Sequence, residues 1–405
     1  MNKTPASSKD SCCLDTESLS TIPVPIKGRG ATGNLAHRFT TWQRADVDDG
    51  WERESEADNS EPVKMRTQVT LTEAKSILSR NQSPDLPFSV SLNPYQGCEH
   101  GCIYCFARPT HSYLELSPGL DFETRIFAKM NAADLLRKTL SRSGYVPEPI
   151  ALGVNTDAYQ PCERELKITR QVLEVLHACR HPLALITKSS LIERDMDLLA
   201  DMAKQQLVIA AITITTLDPR ISRTLEPRAA APERRLRTIR MLREAGIPVC
   251  VSIAPVIPFI TEPDLEKIME AAAEAGADSA GYIVLRLPHE VSPLFQDWLQ
   301  AYFPERAQRV MNRIRDMRGG KDYVADFGQR MKGEGIWADL IRQRFEKAAI
   351  RFGLKNRGRH FNGLETTHFR RDGLSATCNT ADNKDVAGVS SQLSFEFDMT
   401  QTSPF

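Results

Sequence analysis

Between residues 87 and 287 the chain alternates short apolar runs with longer amphipathic stretches. The runs are "PFSVSLNP" (87–94), "PIALGVN" (149–155), "LALITKS" (183–189), "VIAAITITTL" (208–217), "VCVSIAPVI" (249–257) and "AGYIVLRL" (280–287). They are rich in β-branched residues and apolar at consecutive positions, which predicts strands covered on both faces, as in a parallel sheet. Between them, "ELKITRQVLEVLHAC" (165–179) brings Ile168, Val172, Leu173, Val175 and Leu176 to one helical face. "DMDLLADMAKQ" (195–205), "PERRLRTIRMLREAG" (232–246) and "PDLEKIMEAAAEAG" (263–276) repeat the pattern, the last two ending on Gly246 and Gly276. A left-handed helix cap is easiest at glycine. Strand–helix alternation through six strands predicts an α/β fold with a parallel sheet. A recurrence of roughly 30 residues suits the βα units of a full or partial barrel. A doubly wound open sheet has a similar rhythm, and periodicity does not choose between them. Residues 291–317 and 335–353 read as helices added after the last strand.

Composition changes the picture mainly at the ends. Residues 1–60 are polar and weakly patterned, with 46–62 reading as solvated loop or disorder, and a tail from about Glu365 rich in Ser, Thr, Asn and Asp predicts disorder too. Lys plus Arg and Asp plus Glu each number 52, so no global field draws the chain to nucleic acid or membrane. "MNKTPASSKDSCCLDTES" has no apolar h-region, and the longest apolar run, "LVIAAITITTL" (207–217), is too short to span a bilayer. A soluble, cytoplasmic protein is the expectation. There, clustered cysteines point to metal or catalysis rather than disulfides.

Three of the nine cysteines stand together in "NPYQGCEHGCIYCFARPTH" (93–111), where Cys98, Cys102 and Cys105 form C-x3-C-x2-C. The others, Cys12, Cys13, Cys162, Cys179, Cys250 and Cys378, show no ligand spacing, and Cys179 and Cys250 lie in apolar segments as packed thiols. The cluster directly follows the first strand, and barrel active sites sit at the C-terminal ends of strands. Thiolates suit zinc or iron–sulfur clusters. A structural zinc site needs a fourth ligand, for which His100 and His111 are the near candidates. A [4Fe–4S] cluster held by three thiolates keeps one iron open. Both readings stay open on the cysteines alone.

The C-x3-C-x2-C motif, with Tyr104 just before its last cysteine, resembles the signature of the radical S-adenosylmethionine (SAM) superfamily. The wider stretch 83–124 resembles the branch related to spore photoproduct lyase. So do "NTDAYQP", "ITKS", "TTLD", "LEPRAAAPERRL", "IPVCVSIAPVIP" and "GYIVLRLP", over roughly residues 66–354, and "KGRGATGNLAHRF" (27–39) looks like a further family segment. The resemblance implies a partial (β/α)6 TIM-type barrel over 66–290, a helical extension over 291–364, and polar, partly disordered ends at 1–65 and 365–405. It implies a [4Fe–4S] cluster on Cys98, Cys102 and Cys105 whose open iron is chelated by SAM. Reductive cleavage of SAM then gives a 5′-deoxyadenosyl radical for hydrogen abstraction.

On this resemblance Asn155, Thr156 and Asp157 hold the cofactor's amino group, since both side-chain types accept from an ammonium. Lys188, followed by Ser189, pairs with its carboxylate. Thr215, with Thr216 and Asp218, reaches ribose hydroxyls. Arg228 forks onto a carboxylate, the cofactor's or that of Glu226, and Arg286 faces the site. The lyase's hydrogen-donor cysteine falls near Val154 or Asn155, where this chain has none; Cys162 lies several residues later. Arg234, Arg235, Arg237, Arg240 and Arg243 on one helix, with "LKNRGRHF" (354–361), offer basic patches for a nucleic-acid substrate. "QLSFEF" (392–397) loosely resembles peptides that dock on the DNA sliding clamp. A flavodoxin or ferredoxin is the expected electron donor. The competing expectations are a zinc-dependent nucleic-acid-binding module and a radical SAM enzyme modifying protein or RNA.

Overall fold

A computed structural model describes residues 24–40, 65–356 and 363–374. Cys12, Cys13, Cys378, the segment 392–397 and most of the basic stretch 354–361 lie outside the described residues. Eleven strands form two sheets. The larger contains β2 (Leu78–Arg80), β3 (Val90–Leu92), β6 (Ile150–Leu152), β7 (Leu183–Thr187), β8 (Val208–Thr213), β9 (Val249–Val256), β10 (Ser279–Val284) and β11 (Lys355–Asn356). All six strands expected from the apolar runs are present and parallel to one another, while the edge strand β2 pairs antiparallel with β3.

The order β11-β10-β9-β8-β7-β6-β3-β2 runs in chain sequence without reversal from β3 to β11. A doubly wound sheet needs a switch point where the order turns back. Sequential order with right-handed crossovers puts every helix on one face and curls the sheet, as in a TIM barrel. The edges β2 and β11 do not pair, so the barrel is partial. Side-chain alternation fits this. Ile150, Leu152, Leu183, Leu185, Val208, Val249 and Val251 face a core shared with the helices. Ala151, Ala184, Ile209, Ala211 and Cys250 face inward as a thinner layer. Each fully buried Leu, Ile or Val contributes roughly 1.5–3 kcal/mol, so the outer layer drives folding. The small inner residues leave room at the strand ends.

The covering helices are α2 (Ala132–Leu140), α4 (Ile168–Ala178), α5 (Met196–Lys204), α7 (Pro232–Glu244) and α8 (Leu265–Glu274), with α1 (Leu120–Thr124), α3 (Glu163–Leu166) and α6 (Pro219–Leu225) as short turns. Gly246 and Gly276 take positive φ at their helix ends, as expected. The extension comprises α9 (Val291–Tyr302), α10 (Pro304–Asp316), α11 (Gln329–Lys332) and α12 (Gly335–Arg351). No described helix is long and apolar enough to cross a membrane.

Three parts were not legible in the periodicity. Strands β1 (Gln68–Thr72), β5 (Arg125–Lys129) and β4 (Tyr95–Gln96) form a second sheet, with β5 in the middle. Strand β4 delivers the chain directly into the cysteine loop. Residues 24–40, within the polar and weakly patterned N-terminal segment, pack against that loop, with Ala31 fully buried. Residues 363–374 depart from the expected disorder. Leu364 packs on the inner layer, and the Glu365 and Arg370 N–H groups bond the carbonyls of Gln206 and Cys179.

Candidate metal centre and cofactor site

The cysteine loop is held by its backbone. Gly97 and Gly101 adopt positive φ, and a Cβ at Gly101 would lie 2.6 Å from Glu123 Oε2. The Cys98 N–H donates to Phe122 O at 2.9 Å, and the Gly101, Cys105 and Arg108 N–H groups close successive turns onto Cys98, Cys102 and Cys105. Beneath them, Arg108 is fully buried and donates to the carbonyls of Gly101, Cys102, Pro118 and Gly119 and to Glu123 Oε1 at 2.5 Å. Glu123, also fully buried, accepts from the Gly30 and Ala31 N–H groups at 3.0 and 2.9 Å. The segment 27–39 is thus bound to the loop through one carboxylate. Gly30 is obligatory there, since a Cβ would lie 1.9 Å from Gly101 O.

All three thiols sit within electrostatic reach of one another. Burial raises each: Cys98 well up, reinforced by Asp157; Cys102 to about 12, with Lys188 pulling it back; Cys105 less, offset by the Ala107 and Arg108 N–H groups. Three buried thiolates without a cation would be costly, and metal ligation supplies that cation. Among the described residues no three His, Cys, Asp or Glu side chains converge on a single ion. Ligands of one zinc crowd a single centre, whereas cubane ligands bind different irons and stand farther apart. Both candidate fourth ligands are held elsewhere through one ring nitrogen, although His111 Nδ1 is buried without a partner. His100 Nδ1 lies 3.3 Å from Asp157 Oδ2, and His111 Nε2 lies 2.9 Å from Arg125 O. The three cysteines therefore fit a cluster with an open iron.

The other predicted residues divide in two. Some are committed to protein partners. Asp157 accepts from Thr187 Oγ1 (2.7 Å), Lys188 N (2.8 Å) and Tyr159 N (2.9 Å) in addition to His100. Burial pushes its carboxyl up, but His100 and these donors more than offset that and leave it at about 2. Thr156 Oγ1 donates to Tyr95 O, and Ser189 Oγ caps the following turn at Leu191 N. Thr215 Oγ1 donates to Glu226 at 2.6 Å, Tyr104 Oη donates to the same carboxylate, and Thr216 is bound to Asp264. Arg228 does not reach Glu226. It pairs with Glu99 at 2.9 Å, while Glu226 takes Arg235, 1% exposed, at 2.5 Å. The basic helix α7 is correspondingly depleted: Arg234 is paired with Glu193 and Arg243 with Asp278, leaving Arg237 and Arg240 exposed. Cys162 is half-buried, with its N–H on Glu99 Oε1 and burial raising its thiol.

Two predicted groups, at the ends of β6 and β7, are uncommitted. Asn155 Oδ1 is buried and has no hydrogen-bond partner, although its backbone N–H is anchored on Asn93 Oδ1 at 2.9 Å. Among the described residues Lys188 Nζ makes no hydrogen bond or ion pair, and it lies 5.9 Å from the Tyr104 ring centroid. Burial disfavours its charge, but Cys102, Glu226 and Asp157 more than compensate and raise its pKa. An orphaned acceptor after β6 and, after the adjoining β7, an ammonium within electrostatic reach of Cys102 and Cys105 match a ligand carrying both an ammonium and a carboxylate.

Because its folded pKa is depressed, the Asp157 carboxylate contributes stability above its unfolded pKa, lost as pH falls from about 4 through about 2. Asp157→Asn is expected to cost about 2 kcal/mol at neutral pH and to flatten the acid limb of stability between those pH values. Denaturant unfolding across that range checks it, and an unchanged acid limb would count against the brace.

Sequence comparisons agree with this geometry. The radical SAM superfamily profile matches residues 92–272. An uncharacterized protein of Mycobacterium tuberculosis is 37% identical over 278 residues, covering 67% of this chain and 80% of that protein. An uncharacterized protein of Methanocaldococcus jannaschii is 26% identical over 251 residues, covering 62% of this chain and 90% of that protein. Among solved structures, spore photoproduct lyase complexed with dinucleoside spore photoproduct matches with a TM-score of 0.49 at 14% identity, covering 71% of this chain and 81% of that one. The profile spans β3 to α8, the cysteine loop and the strand ends around it, and on that ground the chain is an enzyme of the radical SAM superfamily, whose cofactors are a [4Fe–4S] cluster and S-adenosylmethionine.

Proposed function

We propose that Cys98, Cys102 and Cys105 hold the cluster, that Lys188 and Asn155 seat SAM against it, and that the substrate is a nucleic acid. The observation that carries the cofactor assignment is the orphaned Asn155 Oδ1 just after β6 together with the uncommitted Lys188 Nζ just after the adjoining β7. When bound, the reduced cluster supplies the electron that cleaves the cofactor's C5′–S bond. The chain's own residues do the rest. Lys188 fixes the methionine carboxylate as a point charge, and Asn155 Oδ1 accepts from the ammonium. Tyr104, Thr215 and Glu226 form a buried hydrogen-bonded floor that keeps the loop and Lys188 in register. Asp157 and His100 tie the loop to the end of β7, acting as positioning residues. The inner layer of small apolar side chains excludes water from the strand ends, as a reactive intermediate requires. Radical SAM enzymes need a reducing partner, for which a flavodoxin or ferredoxin is our reading.

The nucleic-acid reading is supported by the sequence resemblance over residues 66–354 and by the exposed Arg237 and Arg240. It is tested by anaerobic turnover of reconstituted protein with SAM, with and without oligonucleotides carrying candidate lesions. Substrate-dependent release of 5′-deoxyadenosine supports it; release stimulated only by RNA places the substrate among RNAs, and release stimulated only by peptide overturns the nucleic-acid reading. Lys188→Ala is expected to raise the KM for SAM about 10- to 100-fold, the range of one charge-assisted contact. Cluster absorbance should be retained, and an unchanged KM would remove Lys188 from the cofactor site.

A further inference from the structure

The two aromatic neighbours of Cys105 each carry a cation from a different strand end. Tyr104 has Lys188, after β7, and Phe106 has Arg286, after β10, at 5.1 Å from its ring centroid. Three strand spacings separate β7 from β10, roughly 14 Å along the sheet, so a carboxylate seated on Lys188 does not also occupy Arg286.

Arg286 is poorly satisfied. Its Nη2 lies 3.3 Å from Tyr323 Oη, its Nη1 meets only the Met331 sulfur at 3.7 Å, and its buried Nε has no partner. Beside it, Arg318 is 3% exposed, donates only to the carbonyls of Leu285, Gln329 and Arg330, and has an orphaned Nε as well. Neither arginine makes an ion pair among the described residues. The nearby acids are taken: Asp85 holds Arg330 through both oxygens at 2.6 and 2.7 Å, and Asp322 is bound by Arg315, Ser292 and Gln296. Burial, and then repulsion from Arg286, lowers the Arg318 pKa to about 10. A buried and a half-buried like charge side by side without a counter-ion are unfavourable, and an anion between them relieves that.

Their surroundings indicate which anion. Aromatic rings interleave with the cations: Phe106 and Tyr323 flank Arg286, and Arg330 lies over Phe327, whose ring is 53% exposed. Cations alternating with ring faces suit a strand that offers phosphates and bases in turn. We propose that Arg286 and Arg318 bind a backbone phosphate of a nucleic-acid substrate on the Phe106 side of the cysteine loop, with Phe327 as a stacking platform for a neighbouring base. The inference rests on the nucleic-acid reading above and deepens it by giving that substrate a seat.

The test uses full-length, anaerobically reconstituted protein and a fluorescein-labelled single-stranded oligothymidylate followed by anisotropy. Arg286→Gln is expected to weaken binding about 10-fold and to reduce the salt slope by about 0.7, one phosphate's worth for a single strand. Arg286→Lys should recover part of the affinity. Cluster absorbance, thermal midpoint and SAM affinity should stay at wild-type values in both variants. Unchanged oligonucleotide affinity in a folded, cluster-loaded Arg286→Gln protein overturns the site. So does a loss of SAM affinity in its place, which would give the pair to the cofactor, or displacement of the oligonucleotide by hexaglutamate as readily as by inorganic phosphate. Should Arg286→Gln not fold, phosphate protection of Arg286 in the wild-type protein from phenylglyoxal, mapped by mass spectrometry, decides: protection supports the site and its absence overturns it. If the wild-type protein binds no oligonucleotide at all, the nucleic-acid reading fails with the site. If it binds but Arg286 does not matter, only the site fails.

Discussion

Alanine at any one of Cys98, Cys102 or Cys105 is expected to strip the protein of its brown colour and bring SAM cleavage to background. Three thiolates are the whole protein ligand set assigned to the cluster, so losing one leaves an iron without its protein ligand. No neighbour can take over: His100 is tied to Asp157, and His111 is bound to Arg125 O with its ring beside Phe122. The His111 ring is held in place by Nε2 on Arg125 O and by its edge contact with Phe122. Cys179→Ala is the control. Its thiol is fully buried in the outer core, and its loss should change stability but not iron content. Iron, sulfide and visible absorbance after anaerobic reconstitution measure all four variants. A stoichiometric cluster surviving in any of the three loop variants would refute the ligand set.

Glu123→Ala should be the most destabilising substitution outside the metal ligands. It strands the fully buried Arg108 guanidinium and removes the acceptor of two backbone N–H groups. Breaking one side of a buried pair costs about 3–5 kcal/mol. Because Gly30 and Ala31 reach the cysteine loop through this carboxylate, the loss should also release the segment 27–39. The expected signs are a lower denaturation midpoint, new protease cleavage within that segment, and poorer cluster retention at equal iron loading. Glu123→Gln keeps one acceptor oxygen and the side-chain volume and should fall between. A protease pattern identical to wild type would separate the carboxylate from the strap.

The extent to which the site could be read in advance follows from how far apart its interacting residues lie. The C-x3-C-x2-C loop was legible because its chemistry is local: three soft donors within eight residues, right after a strand. Lys188 and Asn155, to which we propose the cofactor binds, stood out because strand ends converge at a barrel mouth, so that position on the strand suggests position at the site. Their neighbours were not legible. Asp157, Thr215 and Arg228 carry the right groups at the right strand ends, yet those groups are spent on His100, Glu226 and Glu99. Glu123 and Arg108 gave no signal at all. The Glu123 bonds to Gly30 and Ala31 span 93 and 92 residues of chain, and no pattern of neighbours records them. The arginine-rich helix shows the same limit. Sequence places five arginines on it, but acids on other elements neutralise three.

Alone, the amino-acid sequence determined the six parallel strands, the helices between them and the thiol cluster, since hydrophobic period and ligand spacing act over a few residues. Tertiary structure decided that the sheet curls in sequential order and stays open, that a second small sheet and the 27–39 segment frame the loop, and which polar groups remain unsatisfied. Those outcomes depend on contacts between distant segments, where a buried charge takes whichever partner the fold brings within reach.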